Sequence, residues 1–185
     1  MEEELSDNNL LNRFKTGDNE AFYELLKRYE KPITGYLFGI SRNMELSRDV
    51  CQETFLKLIH TPPRFFQKGS LKAWLFKAAK NLIIDHIRRD SKMVHSDENR
   101  KDMDSSPNPY QAAEAADDFR ELHSIIDELK PEYRDVVIMH FFSRQTFREI
   151  AEIQKIPLGT ALWRMNKAIS LIQEKYENRT EKQKM

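Results

Sequence analysis

The sequence predicts an all-α protein: two small helical domains, the second ending in a helix-turn-helix, joined by a flexible linker. Three observations carry that expectation. Apolar residues recur at helical spacing along most of the 185 residues, of which only 5 are glycine. Residues 93–118 break the pattern. They are polar, lean acidic, contain Pro107 and Pro109 and offer almost no aliphatic side chains, a composition that builds a linker rather than a core. Gln145 to Lys175 then reads as two helices around a tight turn. The expected boundaries are a first domain over 1–92, a linker over 93–118, a second domain over 119–178 and a frayed polar tail over 179–185.

Composition narrows the function classes. Apolar residues make up 39% and charged residues 32%, enough for compact cores in a soluble chain. Thirty Lys+Arg balance thirty Asp+Glu, so any nucleic-acid surface must come from local segregation of charge. No apolar run approaches the ~18 residues of a transmembrane helix. The opening MEEELSDNN is acidic and lacks the apolar centre of a secretion signal. Cys51 is the single cysteine, which leaves no internal disulfide and fits a reducing cytoplasm. The 5 histidines are scattered without ligand spacing, so neither a metal nor another cofactor is expected.

In chain order, Ser6 or Asp7 can cap a first helix carrying Leu10, Leu11 and Phe14, with Gly17 at its end. Asp18 can cap a second helix, on which Phe22, Leu25, Leu26 and Tyr29 repeat at i, i+3, i+4 and i+7. Pro32 marks a bend, after which Ile33, Tyr36, Leu37 and Ile40 resume the spacing. On the next helix, about 47–59, Cys51, Thr54, Phe55 and Leu58 face one way and Asp49, Glu53 and Leu56 the other, flanked by Gln52. An outward leucine among carboxylates and an amide is either ordinary surface or a docking patch with an apolar anchor and a polar rim.

Thr61-Pro62-Pro63 stops that helix, and a loop with adjacent Phe65 and Phe66 leads to Ser70, a cap for a long helix to about Arg89. Leu71, Leu75, Ala78, Leu82 and His86 form its inner stripe, with Trp74 alongside. Lys77, Lys80, Asn81 and Arg88 gather on the outer face, Lys72, Arg89 and Lys92 extend the positive field, and no carboxylate precedes Asp85. Either this is a solvated cationic face beside core aromatics, or a phosphate-tracking surface with a stacking platform for unpaired bases.

The second domain begins with the stripe Leu122, Ile125, Ile126 and Leu129, followed by Tyr133 to Phe142 with Val136, Val137, His140 and Phe141 inward. Phe147, Ile150 and Ala151 line one side of a short helix that Lys155-Ile156-Pro157 interrupts. A second helix restarts near Leu158. At roughly 100° per residue its apolar face is Ala161, Met165, Ala168 and Ile172. Trp163, Asn166, Lys167 and Ser170 face outward, with Thr160 and Arg164 at the edges. Amide, cation and aromatic groups over an apolar underside suit a helix that reads a DNA groove.

Four stretches resemble the extracytoplasmic-function (ECF) group of bacterial RNA polymerase sigma factors. DVCQETFLKL, Asp49 to Leu58, is similar to the family's D-x-x-Q-E-x-F-x-x-L segment. KGSLKAWLFKAAKNLIIDHIRR, Lys68 to Arg89, resembles its G-S-x-x-x-W-L-x-x-I-A-x-N-x-x-x-D-x-x-R segment. IIDELKPEYRDVVIMHFF resembles the L-x-P-x-x-R-x-V start of region 4, and REIAEIQKIPLGTALWRMNKA its E-I-A-x-x-x-x-I-P-x-G-T-x-x-x-R segment. The four are collinear and cover nearly the whole chain.

The resemblance implies a non-enzymatic protein that binds core RNA polymerase, recognises −35 and −10 promoter elements and helps open the duplex. Asp49, Gln52, Glu53 and Leu56 match the segment that docks on the polymerase clamp. Phe66, Lys68, Ser70 and Leu71, with Asn81, match the part that captures a flipped −10 base, and Trp74 lies in the same segment. Lys72, Lys77, Lys80, Arg88 and Arg89 would hold the non-template strand by its phosphates. Thr160, Trp163, Arg164, Asn166 and Lys167 would meet the −35 element, and an anti-sigma factor is the implied regulator. Departures are Lys155 for the usual Gly, Ala161 for Val, Ala78-Ala79 for Ile-Ala, and Leu162 and Trp163 for a basic and a small polar residue. Two rivals are a stand-alone helix-turn-helix regulator, which would bind operators tightly without polymerase, and a small nuclease, for which no cluster of carboxylates or histidines is visible.

Overall fold

The computed structural model describes residues 5–60, 70–93 and 120–183, with side chains described only to 90 in the second stretch and to 179 in the third. Its helices are α1 (Asp7–Lys15), α2 (Asn19–Ser41), α3 (Met44–His60), α4 (Leu71–Met93), α5 (120–127), α6 (Pro131–Phe141), α7 (Phe147–Gln154) and α8 (Leu158–Gln183), and no strand occurs among the described residues. The expected linker falls almost wholly outside them.

Local chemistry sets the helix ends. Ser6 Oγ accepts from the Asn9 N–H at 3.3 Å and Asp18 Oδ1 from the Ala21 N–H at 3.3 Å, each satisfying an orphan donor of the first turn. Asp7 caps nothing and instead holds Arg28 at 2.5 Å and the Tyr29 hydroxyl, tying α1 to α2. Pro32 does not divide α2, which runs unbroken through it. Packing overrides the local penalty there, since Tyr29, Ile33, Tyr36 and Leu37 are all buried around the proline.

Around α2 the first domain packs Leu10 and Leu11 of α1, Val50, Cys51, Phe55 and Leu58 of α3, and Leu71, Leu75, Phe76, Ala79 and Ile83 of α4. The inner face of α4 is therefore wider than the predicted stripe, and His86 sits at its edge, half-exposed. In the second domain Phe141 points outward, 62% exposed, and Leu122 is also exposed, while Ile138, Met139 and His123 take buried places. Contact with the first domain explains the difference. The α6 face with Ile138 and the following Phe142 lie against α2.

That contact needs glycine. A Cβ on Gly35 would overlap the Phe142 carbonyl oxygen, and one on Gly39 would fall 2.5 Å from Ile138 Cγ2 and 3.1 Å from Phe142 Cγ. Glycine inside a helix costs up to roughly 1 kcal/mol relative to alanine. Ser143 Oγ donates to the Pro32 carbonyl at 2.7 Å, and Arg42, left-handed at φ 56°, donates to the His123 carbonyl at 3.3 Å and pairs with Asp127. Helix α8 extends past the expected boundary at 178 because Lys175 and Arg179 each lie 2.5 Å from Glu128, anchoring its last described side chains.

His123, against the Phe142 ring at 5.1 Å, is pushed from 6.5 down to about 4 by burial and by the Arg42 charge. The unfolded chain therefore binds more protons between those values, so stability falls as pH drops from 6.5 to about 4. A His123→Leu variant should show a flatter acid limb in urea titrations across this window, by up to about 1.4 kcal/mol per pH unit. An unchanged slope would show that another group sets it.

Candidate nucleic-acid and polymerase interfaces

On α3 the inward set Cys51, Thr54, Phe55 and Leu58 is buried, and Asp49, Gln52, Glu53 and Leu56 are all exposed. Leu56 is 53% exposed, an apolar side chain with a polar rim. Glu53 Oε2 lies 2.9 Å from His86 Nε2, so this face is braced by α4. Nothing in the spacing of residues 33 apart foretells that contact.

Helix α4 begins where Ser70 Oγ accepts from the Ala73 N–H at 3.1 Å. Of the predicted −10 residues, Phe66 and Lys68 lie outside the described residues. Leu71 is 1% exposed and belongs to the core, so it supports the start of the helix rather than presenting itself to a strand. Trp74 is half-buried against the core. Lys77, Asn81, Arg88 and Arg89 are all exposed. Lys72 and Lys80 lie on the flank that meets the second domain. Lys72 Nζ is 2.5 Å from Glu149 Oε1, and Lys80 pairs with Asp135. Partners 77 and 55 residues away leave no signal in the sequence.

The helix-turn-helix is built from α7, a three-residue turn and α8. A capping box starts α7: the Thr146 N–H donates to Glu149 Oε2 at 2.8 Å, and the Glu149 N–H to Thr146 Oγ1 at 3.3 Å. Burial pushes the Glu149 carboxyl up, but donors from Lys72 and Thr146 outweigh it and hold the group below its usual range. Lys155 closes α7 in the left-handed region at φ 55°, its N–H turned back to the Ala151 and Glu152 carbonyls. Beneath α8, Ala161, Met165 and Ala168 are buried against Ile150 and Ala151 of α7.

Trp163, 57% exposed, stands outward with Asn166, Lys167 and Ser170. Its ring meets Tyr133 edge-to-face with centroids 5.9 Å apart, which orients the indole. Thr160 is half-buried. Arg164 is also half-buried and donates to Gln154 Oε1 at 2.9 Å, bracing the two helices while its edge stays accessible. The fold and surfaces define a two-domain helical protein with a helix-turn-helix whose second helix is exposed on one domain and a cationic helix on the other. Among the described residues no group of three or more His, Cys, Asp or Glu is placed to hold a metal ion, and no helix is long and apolar enough to cross a membrane.

Comparison with known proteins gives the family. Residues 25–93 match the family model described as Sigma-70 region 2, and residues 119–165 match Sigma-70, region 4. The chain is 27% identical to the ECF RNA polymerase sigma-E factor of Haemophilus influenzae, over 96% of this chain and 98% of that protein. In fold it is similar to CnrH, solved in complex with the cytosolic domain of CnrY, at TM-score 0.65 and 18% identity over 93% of this chain and 97% of that one. It is also similar to the sigma factor RpoE of Bartonella quintana, solved with the anti-sigma factor NepR, at TM-score 0.57 and 21% identity over 83% and 94%. The chain belongs to the ECF group of RNA polymerase sigma factors.

A left-handed non-glycine residue costs roughly 1–2 kcal/mol, and Lys155 carries that strain in the turn. Lys155→Gly should therefore stabilise the protein by about 1 kcal/mol and raise its melting temperature by a few degrees. A lower melting temperature would mean that the lysine side chain makes a contact outweighing the strain.

Proposed function

We propose that this sigma factor divides its work between two surfaces: the first domain takes the polymerase on α3 and the −10 strand on α4, and the second takes the −35 element on α8. The observation that carries this is the pairing, in one chain, of a region 2 match with a region 4 match, each on a domain whose outward face suits its task. Asp49, Gln52, Glu53 and Leu56 form the clamp-facing patch. Lys77, Arg88 and Arg89, together with Lys72 and Lys80, track phosphates, which contributes affinity without sequence information, while Asn81 takes part in holding the flipped −10 base. Thr160, Trp163, Arg164, Asn166 and Lys167 enter the major groove. Asn and Lys supply donors to base edges, and the indole supplies apolar area that can meet a thymine methyl. The first domain, the linker and the second domain would occupy 1–92, 93–118 and 119–178.

Catalysis is left to the polymerase, and the site of action is the cytoplasm, where the template is. A further partner is an anti-sigma factor, a reading supported by the complex of the Bartonella quintana relative in fold. A stand-alone helix-turn-helix regulator accounts for region 4 alone and leaves the region 2 match without a role.

Run-off transcription with purified core polymerase on genomic promoter fragments tests the reading. Promoter-specific transcripts dependent on this protein are expected, and neither initiation nor core binding on any template would sink it. Leu56→Ala should weaken binding to core polymerase about tenfold, as loss of an apolar anchor inside a polar rim does. Unchanged affinity would move the docking surface off α3.

A further inference from the structure

Glu53 differs from the other polar residues of the α3 docking patch in one respect. Asp49 and Gln52 have no hydrogen-bond or ion-pair partner among the described residues, whereas Glu53 Oε2 lies 2.9 Å from His86 Nε2 of α4. A carboxylate oxygen accepts, so the imidazole nitrogen is the donor. Lys57, exposed and one turn further along α3, stands where a glutamate usually finds its partner on the same helix. Glu53 turns across to α4 instead. The pair is half-buried, with the His86 side chain 30% exposed and that of Glu53 47%. His86 belongs to neither the docking patch nor the set of strand-tracking cations, so its place on α4 has no role in the division of labour given above. A glutamate side chain free in water spreads over many rotamers, and a partner that orders it on binding loses affinity by doing so. The contact with His86 orders Glu53 beforehand and engages Oε2 alone, which leaves Oε1 to be taken.

We propose that His86 is a positioning residue for polymerase docking: its Nε2–H holds Glu53 Oε2, so that Oε1 is presented beside Leu56 to a guanidinium or ammonium group of the polymerase. Helix α4 then serves both partners of the first domain. Its exposed cations meet the strand, and His86, at the edge of its inner face, sets the carboxylate that meets the polymerase. The imidazole itself touches neither. This rests on the docking role given to α3 above.

The test measures the affinity of the full chain for purified core polymerase, read by displacement of wild-type chain labelled with fluorescein at its N-terminus. His86→Leu keeps much of the side-chain volume and removes the donor. It should weaken binding about threefold to tenfold, the effect of leaving one rotamer-rich side chain to be ordered by the partner. His86→Gln puts an amide N–H about where Nε2 stood and should restore wild-type affinity, which a loss of packing alone would not allow. With Glu53→Ala already in place, His86→Leu should change the affinity no further, because its effect runs through that carboxylate. Wild-type affinity for His86→Leu, with Glu53→Ala weakened, would overturn the positioning role and leave the docking patch standing. Tighter binding by His86→Leu would overturn it too, since the imidazole would then be withholding the carboxylate. So would a weakening that persists in the Glu53→Ala background, which would make His86 a packing residue of α3 and α4. Unchanged affinity for Glu53→Ala would instead strike the docking role of Glu53 itself. Circular dichroism checks that each variant is folded, and His86→Ala replaces His86→Leu in the same cycle if the leucine is not accommodated.

Discussion

Helix α2 packs against α1, α3 and α4 of the first domain and α6 of the second, and the rest of the structure depends on how closely these neighbours can approach it. Leu25, Tyr29, Ile33, Tyr36 and Leu37 serve the core of the first domain. Near its C-terminal end a further face is stripped to Gly35 and Gly39, so that Phe142 and Ile138 reach the helix backbone. This close approach places the start of α7 beside α4. It also buries His123 under Phe142 and brings Arg42 to Asp127. A single methyl group on Gly35 would meet a backbone oxygen, which cannot rotate away as a side chain can.

The two helices proposed to face DNA are made by different physics. The role proposed for helix α4 rests on charge, and such binding is long-ranged, sensitive to salt and indifferent to sequence. Helix α8 instead presents an indole oriented by Tyr133, over a small-residue underside of Ala161 and Ala168 that lets it lie close on α7. Glu149 belongs to both stories. One carboxylate oxygen completes the capping box that starts α7, and the other takes Lys72 of α4, so the geometry of the helix-turn-helix and the contact between domains share one side chain.

Much of this was legible in the chain because helices announce themselves locally. The 3.6-residue period picked out Leu25 and Tyr29 of α2, Cys51, Phe55 and Leu58 of α3, and Ala161, Met165 and Ala168 of α8 as buried, and all of them are. The same period turned Leu56, Asn81, Lys167 and Trp163 outward, where they stand exposed. Ser6, Asp18 and Ser70 act as caps because their short side chains reach a backbone N–H three residues on, a distance set within one turn. Lys155 in place of glycine marked strain in the turn, and its left-handed backbone bears that strain.

Contacts between segments far apart in the chain were decided only by the tertiary structure. Phe141 was expected inward and points out because α6 turns Ile138 toward α2, a choice its own periodicity could not make. Leu71 matched a strand-binding segment yet lies in the core, and Lys72 and Lys80 look like any solvent-facing cations until the second domain is seen beside them. Pro32 lies inside a helix that stays continuous from Asn19 to Ser41, with buried side chains before and after it. The sequence by itself determined which face of each helix is apolar, because that is a property of neighbouring residues one turn apart. Which partner each face meets depends on chain segments tens of residues away, and only the folded chain brings them together.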